Sequence, residues 1–289
     1  MKGFGEIDKS NKRRKSYPFH KYDDNQMLNE AIKYHCEGNI LQATELYKFL
    51  IEKGTKNSSA FTNFGLILIN SDQREEAEIL FRKAIKLNPK DSAAYSNLGG
   101  LLKDLGKIKE AEVLIRKAIK LNPKDSIAYS NLGGLLKDLN KLKEAENFTR
   151  QAIELNPNFA VAHSNLGSIL QDLNKLKEAE NFTRRAIQLN PNFAGAYSSL
   201  GSIARKLDKL KEAEIFARKA IELNPNFAEA YSNLGAILRE LGKLKEAELI
   251  TLKAVELNPN LANAHSNLGI ISYELGKLKE AEIFACKAI

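Results

Sequence analysis

Asn63, Asn97, Asn131, Asn165, Asn233 and Asn267 fall on one period of thirty-four residues, and Ser199 takes the step where a seventh would stand. A carboxamide carries both a donor and an acceptor, the two groups needed to grip a peptide backbone without reading its side chains. The chemistry open to this row is recognition of an extended polypeptide. Around it the same period places small residues, Ser96, Ser130, Ser164, Ser198, Ser232 and Ser266 on one side and Gly100, Gly134, Ser168, Ser202, Ala236 and Ile270 on the other. Such residues leave room for a main chain to approach.

Six positions beyond the asparagines stand Lys103, Lys137, Gln171, Arg205, Arg239 and Tyr273, followed directly by Asp104, Asp138, Asp172, Lys206, Glu240 and Glu274. Lys103, Lys137, Arg205 and Arg239 join the six asparagines as candidate peptide-binding residues. Mixed signs along this rim favour a solvated surface over a strongly steering field. The one doubly basic step, Arg205–Lys206, belongs to the stretch that lacks the periodic Asn, and reads either as a local specificity point or as a drifted copy.

Little else is arranged for bond-making. His163 and His265 alternate with tyrosines at one repeat position and read as packed side chains, while His20 and His35 have no metal-ligand spacing around them. Cys36 and Cys286 are too far apart in the chain for a disulfide framework and fit a reducing compartment, each as a small buried or half-buried apolar residue. No glycine-rich phosphate loop occurs. The residues predict no catalysis, no cofactor and no metal.

The chain has 289 residues, 43% hydrophobic and 28% charged, which belongs to foldable soluble chains. Of its net charge of +8, residues 1–22 carry +5, in a tail containing the run Asn11–Ser16, "NKRRKS". A basic, disordered tail can contact phosphate or an acidic surface, yet such tails are commonly just solvated. Nucleic acid is disfavoured, because interleaved aromatics and a basic groove are both missing. No apolar run approaches the roughly 18 residues a membrane span needs, and no signal-peptide core follows the charged N-terminus. A cytoplasmic location is expected.

What must position the asparagines is a repeated pair of helices. In residues 92–125, Tyr95, Leu98, Gly99 and Leu102 share one helical face, and Ile108, Ala111, Ile115 and Ala118 share another. Gly106 stands between them, where positive φ suits the residue just past a helix end, and its equivalents Asn140, Asn174, Asp208, Gly242 and Gly276 are the residue types that tolerate that conformation. Pro89, Pro123, Pro157, Pro191, Pro225 and Pro259 stop the second helix of each copy. Small residues such as Gly99, Ala111 and Ala118 sit where helices must approach closely. Glu146/Arg150, Glu180/Arg184 and their equivalents stand four apart in the favourable order on what reads as a solvated outer face.

An aromatic, Leu, Gly, Leu, Ala, an apolar residue, Ala and Pro at the positions of Tyr95, Leu98, Gly99, Leu102, Ala111, Ile115, Ala118 and Pro123 resemble the tetratricopeptide repeat. The resemblance covers units 58–91, 92–125, 126–159, 160–193, 194–227 and 228–261, an incomplete unit 262–289, and a degenerate unit 24–57 without the proline. It implies an all-α, right-handed superhelical solenoid of antiparallel helix pairs, whose first helices line a concave groove that binds proteins or peptides. The asparagine row is similar to ladders in the tetratricopeptide arrays of the O-linked N-acetylglucosamine transferases, which implies sequence-tolerant binding of extended chains. The carboxylate clamp of chaperone-binding members has Lys and Asn where this chain has Ser and small or apolar residues, so that ligand is disfavoured.

Two functions stay open: a non-catalytic protein-binding scaffold, and the substrate-recruiting part of a larger glycosyl-, sulfo- or methyltransferase. The sequence stops inside a second helix, so an open apolar end and self-association through it are expected. If the asparagines face an open groove, replacing them should weaken binding and leave stability almost unchanged.

Overall fold

A computed structural model describes residues 23–288, in which sixteen helices and no strand occur. The fold is an all-α helical repeat. The basic tail at 1–22 and Ile289, with the expectations placed on them, lie outside the described residues. By its internal contacts the chain divides into two compact units, residues 1–91 and 92–289.

In the first unit, α1 (Asp24–Cys36) pairs with α2 (Ile40–Glu52) and α3 (Ser58–Asn70) with α4 (Arg74–Leu87). Asp23 starts α1 with a reciprocal cap, accepting from Gln26 N while its own N–H donates to the Gln26 side chain. The buried core of this unit includes Ala31, Ala43, Leu50, Phe81 and Tyr47, and the Tyr47 ring lies edge-on to His35 and stacked on Phe64. Burial pushes the Tyr47 phenol up to about 12.

The second unit repeats that pair six times: α5 (Ser92–Asp104) with α6 (Ile108–Leu121), α7 (Ser126–Asp138) with α8 (Leu142–Leu155), α9 (Ala160–Asp172) with α10 (Leu176–Leu189), α11 (Ala194–Lys206) with α12 (Leu210–Leu223), α13 (Ala228–Glu240) with α14 (Leu244–Leu257), and α15 (Ala262–Glu274) with α16 (Leu278–Lys287). Within each pair the turn residue has positive φ, at Gly106, Asn140, Asn174, Asp208, Gly242 and Gly276. Five of these second helices, α6, α8, α10, α12 and α14, end at an Asn whose side chain accepts from the N–H two residues on, as Asn156 does from Asn158 at 3.2 Å. Proline between them has no N–H to continue the helix.

The helices of a pair meet through glycine. A Cβ on Gly133 would collide with the Thr149 hydroxyl, and one on Gly99 with Ile115. The apolar character expected across from the glycines is only partly met, since Thr149, Thr183 and Thr251 stand there fully buried. Each satisfies its hydroxyl inside its own helix, Thr149 Oγ1 donating to Ala145 O at 2.7 Å, so a buried Thr costs no orphaned polar group.

The outer face is more than solvated charge. Arg150 bonds Glu146 in its own helix at 2.8 Å, reaches Glu178 of the next repeat, and lies 5.5 Å from the centre of the Phe182 ring of that repeat. Lys175 returns to Glu146 at 2.9 Å. The lattice recurs with Glu180, Arg184 and Lys209, and with Glu214, Arg218 and Lys243. Burial alone would raise the Glu146 carboxyl, but hydrogen bonds from Lys175 and Arg150 hold it below its ordinary range. Both cysteines are exposed rather than packed. Each occupies a helix position that most other repeats fill with polar residues, Asp104 or Lys206 for Cys36, Arg150 or Arg184 for Cys286, with Leu252 the apolar exception.

Candidate functional site

Successive first helices of the second unit touch one another directly, α5 with α7, α7 with α9, α9 with α11, α11 with α13 and α13 with α15. Successive second helices are joined instead by the long Arg, Lys and Glu side chains described above. The shorter spacing puts the first helices on the inner side of the stack. Their buried residues, such as Ala128, Ser130, Leu132, Gly133, Leu135 and Leu136 of α7, face neighbouring helices. The half-buried asparagines lie on the face left open.

The asparagines do not stand unattached in that face. Asn131 Nδ2 donates to the Ser96 carbonyl at 3.2 Å, Asn165 Nδ2 to Ser130 Oγ at 3.1 Å, and Asn233 Nδ2 to Ser198 Oγ at 2.9 Å. Asn267 Nδ2 reaches both the carbonyl and the hydroxyl of Ser232 at 3.1 Å. A carbonyl can only accept, so the orientation at Asn131 and Asn267 is fixed by chemistry: the amide nitrogen points back to the preceding repeat and Oδ1 points away from it. Among the described residues nothing donates to the Oδ1 atoms of these four. Asn97 is half-buried on the matching face of α5, and Asn63 stands half-buried on α3 in the first unit.

Room is present where small residues suggested it. Asn131 Nδ2 lies 3.1 Å from the place a Gly100 Cβ would take, so a side chain at 100 would crowd the amide. At Gly134 the nearest atoms, Lys103 Nζ and Asn165 Nδ2, stand 3.8 and 3.9 Å away. The serines, read as space-makers, include the ladder's acceptors. Their recurrence as polar residues at a buried position was the available signal.

The four candidate cations all have carboxylate partners. Lys137 pairs with Asp172 at 3.4 Å, Arg205 with Glu240 at 2.8 Å and Arg239 with Glu274 at 2.9 Å, each across to the next repeat, and Lys103 with Asp104 in its own helix at 3.2 Å. His163 and His265 are packed as expected. Their Nε2 atoms bond the Pro157 and Pro259 carbonyls at 2.9 and 2.8 Å, and their rings stack on Phe182 and Phe284. Among the described residues no group of three or more His, Cys, Asp or Glu could hold a metal ion, and no helix is long and apolar enough to cross a membrane.

At the last described repeat, a groove of about 520 Å³ is lined by residues that include Gly269, Ile270, Tyr273, Leu278 and Ala285. One repeat earlier, both helices of the pair, α13 and α14, pack against α15.

Models of the tetratricopeptide repeat match residues 68–136, 127–159, 160–193, 194–227 and 216–248, which together run unbroken from 68 to 248. No curated protein matches the sequence. Among solved structures, the chain is similar in fold to one in the APC/C hetero-tetramer Cut9–Hcn1, with TM-score 0.75 and 16% identity over 88% of this chain and 50% of that one. It thus spans about half the length of that relative. PilF of Pseudomonas aeruginosa aligns with TM-score 0.57 and 19% identity over 72% of this chain and 94% of that one. YrrB, described as a TPR protein with an unusual peptide-binding site, shares 30% identity over 61% of this chain and 90% of that one, with TM-score 0.44.

Proposed function

Because the chain belongs to the tetratricopeptide-repeat family, whose members bind protein or peptide partners, we propose that it is a non-catalytic scaffold that holds an extended polypeptide along the open face of its first helices. The observation that carries this reading is the common orientation of Asn131, Asn165, Asn233 and Asn267. Each amide nitrogen bonds the repeat before it, and at Asn131 and Asn267, where the partner is a carbonyl, this leaves Oδ1 as a fixed acceptor on the open face. A row of acceptors suits backbone N–H groups.

The spacing supports one backbone conformation. Packed helices stand roughly 8–10 Å apart, and polyproline-II chain advances about 3.1 Å per residue with three residues per turn. One N–H in every three therefore faces the ladder. The rim cations Lys103, Lys137, Arg205 and Arg239 frame the groove in this reading, and their existing ion pairs make recognition depend little on net charge. Asn97 supplies the same group on α5, and Asn63 carries one on α3 within the first unit.

The test is a blocked, neutral peptide of Ala, Ser and Gln, about 15 residues long so as to span five repeats, followed by fluorescence anisotropy. N-methylation at every third residue removes the N–H groups the ladder would accept and should abolish binding, whereas Ser–Ala exchanges should not matter. Equal binding of the methylated peptide would sink the reading.

A further inference from the structure

The step from α9 to α11 lacks the Asn–Ser and cation–carboxylate links that join other first helices on the open face and is crossed instead by the Gln171–Ser202 hydrogen bond. At the other four steps from α5 to α15 a ladder Asn donates back to the preceding serine, but here Ser199 stands in place of Asn and does not reach Ser164. At three of those steps a rim cation also crosses to a carboxylate, in the pairs Lys137–Asp172, Arg205–Glu240 and Arg239–Glu274. At this step the cation is replaced by Gln171 and the carboxylate by Lys206.

The two replacements are matched. A lysine kept at 171 would face the ammonium of Lys206, whereas Gln171 avoids that repulsion and turns its amide to Ser202 Oγ at 2.9 Å. Lys206 is exposed and forms no ion pair among the described residues. The carboxylates that flank it in the repeat register are occupied, Asp172 by Lys137 and Glu240 by Arg205. On α11, Ser199, Ser202 and Lys206 are spaced three and four apart, which puts them on one helical face, the open one. Packing demands none of this, since other repeats have Asn and an acidic residue at the positions of Ser199 and Lys206.

We infer that this break in the ladder is a specificity point, where the ammonium of Lys206 and the hydroxyls of Ser164 and Ser199 receive the carboxylate of an Asp or Glu side chain of the bound segment. The inference rests on the groove reading above. It adds one side-chain preference to an otherwise sequence-tolerant site, at the one step from α5 to α15 where the ladder Asn is replaced.

The neutral peptide of the preceding section is the probe, compared with versions bearing one central Glu, one central phosphoserine or one central Lys. The Glu peptide should bind the native protein about 5-fold more tightly than the neutral one, and the advantage should fade with salt. Lys206→Gln should remove the advantage and leave binding of the neutral peptide unchanged, and Lys206→Glu should transfer the preference to the Lys peptide. The pair Gln171→Lys with Lys206→Glu, which restores the ordinary ladder charges, should bind Glu and neutral peptides alike. Asn131→Ala with Asn165→Ala should weaken both and preserve their ratio. Equal binding of Glu and neutral peptides to the native protein ends the inference and leaves the groove reading intact, and binding of neither ends both. A Glu advantage that survives Lys206→Gln assigns the preference to another cation. Tighter binding of phosphoserine with no gain from Glu contradicts the carboxylate assignment.

Discussion

Asn165 donates its amide hydrogen to Ser130 Oγ at 3.1 Å, so a side chain on the open face of α9 is tied to the repeat before it. The sequence alone predicts that replacing such asparagines leaves stability almost unchanged; this bond predicts a loss instead. A hydrogen bond of this kind contributes roughly 0.5–1.5 kcal/mol net. Asn165→Ala should lower the unfolding free energy by about that amount, read as a shift in urea midpoint at unchanged slope.

The close approach of Gly133 to Thr149 gives a second prediction. Gly133→Ala inserts a methyl against the Thr149 hydroxyl and should cost about 1–3 kcal/mol. At Gly269 the nearest atoms to an added Cβ are 3.5 Å away, ordinary contact. Gly269→Ala should therefore be neutral or stabilising by up to about 1 kcal/mol through helix propensity. Thermal unfolding of the two variants checks the contrast, and adding Thr149→Ala to Gly133→Ala should recover part of the loss.

The outer lattice predicts an acid response. Glu146, Glu180 and Glu214 are held below their ordinary value of 4.5, the first two by hydrogen bonds that outweigh burial and the third chiefly by Lys243. A depressed carboxyl pKa adds stability that is present above the unfolded value and is lost as pH falls through the folded one. Stability should therefore decline below about pH 4.5. The triple variant with Gln at these positions should be less stable near neutrality and show a shallower decline in denaturant titrations.

The helix pairs were readable because period, glycine and proline are local signals. Asn140, Asn174 and Asp208 do adopt positive φ where they substitute for glycine. The destination of a side chain was harder to read, since a period says that a residue recurs and not what it bonds. Asn165 and Ser130 are thirty-five residues apart, as are Arg205 and Glu240, and these links appear only once the helices are stacked. Glu146 and Arg150 were visible as a pair within one helix, whereas their bonds to Lys175 and Glu178 of the next repeat were not. The buried threonines departed from the apolar pattern because a hydroxyl can be satisfied by its own helix, which composition does not reveal.

One paired comparison of variants separates an acceptor from a strut. Ser130→Ala with Ser198→Ala removes the hydroxyls that hold Asn165 and Asn233, and Asn165→Ala with Asn233→Ala removes the carboxamides themselves. Both pairs should lower stability, by roughly 1–3 kcal/mol for two bonds. Measured by anisotropy with the same neutral peptide, the Asn pair should weaken binding roughly 5- to 150-fold, while the Ser pair stays within about 2-fold of native. If the Asn pair loses the same stability yet retains full affinity, the ladder only braces the repeats and the peptide is held elsewhere.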